Sequence, residues 1–189
     1  MRIIIGISGA SGVIMGQRMI QALRRIPDCE LHLVISQAGL KNFQLETNID
    51  IESIKQSVDF YYENNNLAAA ISSGSFATDG MIVIPCSMKT LSAIATGYAE
   101  SLLVRAADVC LKENRKVILV PREMPLGKIH LHNMKTAAEM GCTIIPPMLT
   151  FYNNLPSVEE QIDHIIGKIL MQFGIRHDCF LPWQGCRHA

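Results

Sequence analysis

The sequence predicts a single α/β domain in which helices cover both faces of a doubly wound parallel sheet. Two runs, 81–85 and 117–121, are apolar at successive positions and therefore indicate strands that are buried on both faces. Helical patterns separate the predicted strands along the chain, as the crossover connections of a parallel sheet require. A length of 189 residues suits one such domain with a full core.

The elements follow in order from the N-terminus. A strand at 2–8 leads through a glycine-rich turn into an amphipathic helix that ends near Arg25, and a second strand covers 30–36. Residues 49–79 are expected to be irregular, because asparagine and serine–glycine clusters mark turns there. Further strands are predicted at 81–85, 116–121 and 142–145, and further helices at 90–113, 130–140 and 157–173. Together they make one three-layer domain of flavodoxin-like or Rossmann-like type over residues 1–189, with an irregular tail at 174–189.

Composition narrows the class of partner. Lysine plus arginine equals aspartate plus glutamate at 17 each, so no net positive field favours nucleic acid or an anionic membrane. With 49% hydrophobic and 18% charged residues, the chain has more apolar surface than a lone domain buries, which predicts a homo-oligomer. No run has the length of a signal-peptide core or of a membrane span. The scattered cysteines indicate a reduced, cytoplasmic protein.

Polar clusters follow two of the predicted strands. Ser87 and Thr90 come after the first of the two buried runs, and Arg122 with Glu123 follows the second. Ligands of open parallel sheets bind beyond the carboxyl ends of the strands. Hydroxyls and a cation with a carboxylate beside them predict a phosphate-binding site. An ordinary surface ion pair between Arg122 and Glu123 is the alternative.

The first glycine-rich turn differs from the nucleotide-binding fingerprints. Its glycines, Gly6, Gly9 and Gly12, are three apart, which matches neither the dinucleotide motif nor the P-loop, and the P-loop lysine is missing. The second strand ends in Ser36, where an NAD site has an acid. Backbone amides and Ser11 at a helix N-terminus instead suggest contact with an oxygen-rich or flat ligand. The alternative is that these small residues are present only because the connection between strand and helix is tight.

A set of short motifs runs in order along nearly the whole chain. They are Gly9-Ala10-Ser11-Gly12, Pro85-Cys86-Ser87 with Thr90, the run from Arg105 to Lys112, the run from Val120 to Pro125, Ile129-His130-Leu131 and Phe151-Tyr152. In this combination they resemble the UbiX-type flavin prenyltransferases. The resemblance implies an enzyme that joins a dimethylallyl group from dimethylallyl phosphate to N5 and C6 of reduced FMN without metal. It also implies a homo-oligomer, a dodecamer in that family, and a UbiD-type decarboxylase as the partner that receives the prenylated FMN.

The same resemblance assigns roles to individual residues. Contacts with FMN fall to Gly9, Ala10, Ser11, Ser36, Ser87, Met88, Lys89, Thr90 and Arg122. Tyr152 and Lys168 would hold the phosphate of the prenyl donor, with Arg105 and Lys112 adding charge, and Glu46 and Glu123 match the catalytic acids. Lys168 departs from the arginine that is common in relatives, so phosphate affinity or donor choice is where this chain is expected to differ.

The chemistry gives independent reasons for these residue types. Breaking the allylic C–O bond leaves a carbocation and a phosphate, so cations and a proton donor such as Glu123 are needed at the phosphate. The allyl fragment needs a dry, π-rich surface, for which Trp183 is a candidate substrate-binding residue. Ring closure at C6 requires loss of a proton from that carbon, which gives Glu46 and Ser11 catalytic roles. No divalent metal is expected, because the aspartates are isolated along the chain.

For several of these residues, the sequence is equally compatible with a purely structural role. Glu46 can be a solvated charge after a helix, Trp183 a tail anchor, and Tyr152 a core aromatic whose hydroxyl is satisfied. A four-ligand set in the tail does not have a standard zinc spacing. Its members are His177, Cys179, Cys186 and His188.

Two other functions are compatible with the same fold. A flavin-dependent cysteine decarboxylase shares the Pro-x-Ser-x-x-Thr turn, but its catalytic histidine and asparagine–methionine loop are not found in their expected form. A non-enzymatic FMN-binding subunit of a decarboxylase is disfavoured because both acids are present. The sequence does not distinguish a monophosphate donor from a diphosphate donor, and it does not indicate the substrate of the partner decarboxylase.

Overall fold

The computed structural model describes residues 1–152, 156–183 and 185, and the chain divides into two compact units, Met1–Pro146 and Pro147–Ala189. The strands are β1 (Arg2–Ile7), β2 (Glu30–Ile35), β3 (Phe60–Glu63), β4 (Gly80–Cys86), β5 (Lys116–Pro121) and β6 (Cys142–Ile144). The helices are α1 (Val13–Arg24), α2 (Gln37–Glu46), α3 (Ile51–Gln56), α4 (Met88–Thr96), α5 (Leu102–Lys112), α6 (Lys128–Glu139) and α7 (Val158–Gln172). That the whole chain is one domain stays a prediction.

The described strands form one parallel sheet in the order β3-β2-β1-β4-β5-β6. Strand β1 pairs with β2 on one side and with β4 on the other, so the strand order reverses between β1 and β4. The predicted doubly wound parallel sheet is therefore confirmed, and its strand order is the Rossmann one. In sheets of this kind, the crevice beyond the carboxyl ends of the two strands at the reversal is the usual ligand site.

Helices of the first unit cover both faces of the sheet. On one face, Val83 of β4 packs in an apolar cluster with Leu91 of α4 and Leu103 of α5. On the other face, α1 lies so close to β1 that a β-carbon at Gly16 would be 2.6 Å from Cδ1 of Ile7. All seven residues of β4 are buried, and each large aliphatic side chain so buried contributes about 1.5–3 kcal/mol. The three predicted layers are confirmed.

Two parts of the chain differ from the sequence prediction. Residues 49–79 are more regular than expected, since they contain α3, the edge strand β3 and a 3-10 turn at Ala70–Ser72. Aromatic residues with strand propensity form β3 directly before the asparagine cluster that marks the turn. The single helix predicted at 90–113 is two helices, because Gly97 adopts the left-handed conformation with φ 68° and ends α4.

The second unit is built around α7. Ser157 caps this helix as predicted: its hydroxyl accepts from the Glu160 amide at 3.1 Å, and the Glu160 carboxylate accepts from the Ser157 amide at 3.1 Å. Residues 174–183 and 185 contain no helix or strand. In the part of the chain that the structure describes, no helix combines the length and the hydropathy needed to cross a membrane.

Candidate functional site

The loops after β1 and β4 are tied together at the reversal of strand order by Ser8. Its side chain is fully buried; Oγ donates to the Pro85 carbonyl at 3.0 Å and accepts from the Ser87 amide at 2.7 Å. A buried hydroxyl that both donates and accepts a hydrogen bond holds its two partners at a fixed separation. The sequence prediction missed Ser8. Its place at the end of a buried strand was the only available signal.

A cavity of about 540 Å³ lies at this crevice, within the size range of small-molecule sites. Five of the predicted FMN-binding residues line it, namely Gly9, Ser36, Ser87, Lys89 and Thr90. Residues that the sequence prediction missed also line it, among them Gln37, Ala38, Asn64, Tyr98, Glu100 and Val104. The structure thus brings together the turns after β1, β2 and β4, which are far apart in the sequence.

Three helices begin at the cavity. Ser36 caps α2 by accepting from the Gly39 amide at 3.1 Å, and Ser87 caps α4 by accepting from the Thr90 amide at 3.2 Å. At the start of α5, Asn64 Oδ1 accepts from the Leu103 amide at 3.0 Å. The positive ends of three helix dipoles therefore meet at one cavity, which favours an anionic ligand.

The hydroxyls of Ser87 and Thr90 are arranged to serve the same ligand. Ser87 Oγ donates to Thr90 Oγ1 at 3.1 Å, so the Thr90 hydroxyl has its own proton left to donate onward. Lys89, between them, adds a cation to the lining. Met88 differs from its neighbours, because its half-buried side chain packs against the apolar cluster, and its contact with FMN stays a prediction.

Helix α2 holds the glycine-rich loop from the side. The Glu46 carboxylate accepts from the Gly12 amide at 2.7 Å and from the Val13 amide at 3.3 Å, and Asn42 Nδ2 donates to the Ala10 carbonyl at 3.0 Å. The Gly12 and Val13 amides thus have a partner in Glu46, and contact of the turn with a ligand stays a prediction. Glu46 is exposed at the end of α2, as a solvated charge would be, and its carboxylate is also held by two amides at the start of α1.

Arg122 and Glu123 lie next to the Ser87 turn. The Arg122 amide donates to the Cys86 carbonyl at 3.1 Å, which brings the ends of β4 and β5 together. Both side chains are exposed, and Glu123 Oε1 accepts from the Met124 amide at 3.1 Å. Burial raises the pKa of the Cys86 thiol, so this cysteine stays protonated at neutral pH and is not a nucleophile.

Arg105 and Lys112 have structural partners on α5 and the loop before β4. Arg105 Nε donates to the Ser72 carbonyl at 3.1 Å and Nη1 pairs with Asp108 at 2.6 Å. Lys112 pairs with Glu113 at 2.8 Å. At 1.5 Å per residue, Lys112 lies about 16 Å along α5 from the cavity-lining Ser101. Within one chain, Lys112 is not brought to the cavity.

The second unit brings together two of the predicted donor-binding residues. The rings of Tyr152 and Trp183 meet edge to face with their centroids 5.6 Å apart, and His164 lies at the edge of Tyr152 at 6.1 Å. Tyr152 is 53% exposed and so is not a core aromatic. Burial, and then the Lys168 cation one helical turn away, lower the pKa of His164. The sequence prediction missed His164.

The four-ligand set of the tail falls partly outside the described residues. Cys186 and His188 are among the residues that the structure does not describe, and His177 Nδ1 accepts from the Cys179 amide at 3.3 Å. Over residues 1–152, 156–183 and 185, no group of three His, Cys, Asp or Glu side chains is placed to hold a metal ion.

The residues that line the cavity suit a ligand that combines a phosphate with a flat ring system. Two capped helix N-termini, the Thr90 hydroxyl and Lys89 supply phosphate ligands, while Ala38, Ala93 and Val104 supply an apolar surface. FMN has this combination of groups.

Known flavoproteins resemble this chain over nearly its whole length. A family model described as Flavoprotein matches residues 1–173. A probable UbiX-like flavin prenyltransferase of Sedimentibacter hydroxybenzoicus is 67% identical over 187 residues, 99% of each chain. A solved dodecameric FMN-dependent UbiX-like decarboxylase of Escherichia coli O157:H7 superimposes with a TM-score of 0.96 at 49% identity, over 98% of this chain and all of that one. A solved AnUbiX (PadA1) complex with FMN and dimethylallyl pyrophosphate gives a TM-score of 0.95 at 41% identity, over 98% of each chain.

Proposed function

The chain belongs to the UbiX-like flavin prenyltransferases, and we propose that it joins a dimethylallyl group from dimethylallyl phosphate to N5 and C6 of reduced FMN. The observation that carries the proposal is the cavity of about 540 Å³ at the reversal of strand order, on which helix N-termini, hydroxyls and Lys89 converge. Reduced FMN, when bound there, supplies the nucleophilic nitrogen of the reaction.

The residues of the cavity bind and orient the flavin. The starts of α2 and α4, the Thr90 hydroxyl and Lys89 would hold its phosphate through charge-assisted hydrogen bonds. Gly9 lets the turn after β1 approach Ala38, the apolar residues of the lining are assigned to the ring, and Arg122, beside the Ser87 turn, is assigned to a ring oxygen. Ser8 keeps the loops after β1 and β4 at a fixed separation, so the flavin meets a preorganised site.

Departure of the donor phosphate needs charge and a proton. The allylic C–O bond breaks with its electron pair on the phosphate oxygen, and we assign Tyr152 and Lys168 to hold that phosphate and Glu123 to protonate it. We assign Trp183 to face the allyl cation with its π-surface. We assign Glu46, whose carboxylate accepts from two backbone amides, to accept the proton lost from C6, with Ser11 as relay.

Membership of this family also suggests how the chain assembles and which protein receives its product. We propose a homo-oligomer, because a dodecameric relative superimposes over nearly the whole chain and the segment after β5 exposes several large apolar side chains. The proposed receiver of the product is a UbiD-type decarboxylase. Reaction without metal, and a cytoplasmic location, stay predictions.

A coupled assay tests the proposal and its partner together. The chain is incubated anaerobically with reduced FMN and dimethylallyl phosphate, and the protein-free filtrate is added to a UbiD-type apo-decarboxylase. We expect decarboxylation with filtrate of the complete mixture and none with filtrate of mixtures that contain oxidised FMN or lack the donor. A parallel mixture with the diphosphate shows which of the two donors the chain uses. Equal activation by filtrate lacking the donor would contradict prenyl transfer and favour a subunit that only delivers FMN.

A further inference from the structure

One face of α7 contacts two segments of the second unit, the one that precedes the helix in the sequence and the one that follows it. Gln161, His164 and Lys168 are spaced by three and four residues and therefore share this face, with Gly167 beside them. Lys168 is the residue assigned to the donor phosphate. The other three have no assigned role.

Gln161 fixes the segment that leads to Tyr152. Its Oε1 accepts from the Thr150 amide at 2.8 Å, and its Nε2 donates to the Thr150 carbonyl at 2.8 Å. Two bonds between one side-chain amide and one backbone residue define both position and direction. Tyr152 is two residues further along and reaches the edge of the His164 ring.

His164 and Gly167 fix the segment that leads to Trp183. The His164 ring is 5% exposed and lies against the Phe180 ring with centroids 4.2 Å apart. A β-carbon at Gly167 would lie 2.6 Å from the Phe180 ring and 2.8 Å from His177 Cε1, so only glycine lets the segment come this close. Trp183 is three residues beyond Phe180 and meets Tyr152.

We propose that His164 is a positioning residue for prenyl transfer: its ring, together with Gly167, docks residues 177–183 on α7 so that Trp183 meets Tyr152. Tyr152 contacts one edge of the His164 ring and Phe180 packs against it, so this single side chain joins the two segments. This inference rests on the proposed function only for the donor-binding roles of Tyr152, Lys168 and Trp183. The docking of residues 177–183 on α7 does not depend on that function.

The consequence for the reaction is confined to the donor. Tyr152 supplies a hydroxyl and Trp183 a π-surface, and both are largely exposed, so their relative position depends on the contacts behind them. Without those contacts, the Tyr152 hydroxyl and the Trp183 ring no longer have a fixed relative position. Misplaced binding groups weaken donor binding and slow prenyl transfer. FMN, held by the first unit, is expected to bind as before.

The test uses Trp183 as a probe, since it is the only tryptophan of the chain. In His164→Ala we expect red-shifted tryptophan emission and increased quenching by acrylamide, and Gly167→Ala should do the same by displacing Phe180. His164→Phe keeps a ring of similar width and should retain the emission of the unmodified chain. Ile166→Ala, which truncates a buried α7 residue outside the ring contacts, is the matched control and should leave the emission unchanged.

Steady-state kinetics complete the experiment. His164→Ala should raise KM for dimethylallyl phosphate about two- to tenfold, the range expected from loss of one aromatic contact, with unchanged Kd for FMN and rescue by His164→Phe. Should His164→Ala not fold, Phe180→Ala removes the same contact from the other side. Unchanged emission and donor KM in these variants, or failure of His164→Phe to rescue, would overturn the proposal. Absence of prenyl transfer by the unmodified chain would instead overturn the proposed function, and the emission data would still decide the docking.

Discussion

Single residues at the site are distinguished by how much of their hydrogen-bonding capacity the fold already uses. Ser36 and Ser87 accept from helix amides, and Ser8 both donates and accepts, whereas Thr90 keeps a proton to donate. The sequence shows that hydroxyl residues follow the strands. It does not show which of them donate and which accept, because several of the partner atoms come from distant turns. Serine positions in the same motif therefore have different consequences when changed.

Replacement of Ser8 by alanine tests the link between the loops after β1 and β4. It leaves the Ser87 amide without its acceptor, which we expect to cost about 1–3 kcal/mol of unfolding free energy and to weaken FMN binding. The measurements are urea unfolding at matched protein concentration and FMN titration. Ser53→Ala, an exposed serine on α3, is the control and should change stability by less than about 0.5 kcal/mol. Unaltered stability in Ser8→Ala would show that the link is dispensable.

Replacement of Glu123 by glutamine tests its assignment as proton donor. The amide keeps the size of the side chain and can still accept from the Met124 amide, but it cannot deliver a proton. Prenyl transfer should slow by about 10²–10⁴-fold with FMN affinity unchanged, as single-turnover rates and flavin titration would show. Glu139→Gln on α6 is the matched control. Full activity in Glu123→Gln would return Glu123 to a structural role.

Secondary-structure elements were predictable where burial repeats along the chain. The strands β1, β2, β4 and β5 are apolar at nearly every position, so their existence follows from hydrophobic pattern alone. The break between α4 and α5 depends on the conformation of Gly97, and glycine is compatible with either a helix or its end. Edge strand β3 is short and half-buried and gives no such pattern.

Substitutions at Gly97 test whether this break is required. Its φ of 68° is unfavourable for a residue with a β-carbon, although nothing lies within 4 Å of the added atom, so Gly97→Ala should cost about 1–2 kcal/mol through backbone strain alone. Gly97→Asn should lose less, because asparagine tolerates the left-handed conformation. Urea unfolding of both variants provides the measurement. Equal stability of Gly97→Ala and the unmodified chain would contradict the expected strain at this position.

The whole molecule places side chains together that no local pattern relates. Asn42 and Glu46 hold a loop more than thirty residues before them, Asn64 accepts from the first turn of α5, and Tyr152 meets Trp183. Long-range contacts of this kind depend on the assembled sheet and helices. The motifs at the strand ends were predictable, whereas the residues that support them were not.

Exposed apolar residues after β5 bear on the assembly of the whole molecule. Met124, Leu126, Ile129 and Leu131 are between 41% and 85% exposed, which predicts that they are covered by another copy of the chain. A double variant, Ile129→Glu with Leu131→Glu, should sediment as a smaller species than the unmodified chain. Leu67→Glu, an exposed leucine elsewhere, is the control. An unchanged sedimentation coefficient in the double variant would place the interface on another surface.

The mass of the flavin after reaction tests the central claim most directly. The chain is incubated anaerobically with FMN and dimethylallyl phosphate, with and without dithionite, and the extracted flavin is analysed by mass spectrometry. We predict a gain of one C5H8 unit in the reduced sample and none in the oxidised sample, because only reduced N5 is a nucleophile. An unchanged flavin mass in the reduced sample, with FMN bound and donor intact, would contradict the assignment of this chain as a prenyltransferase.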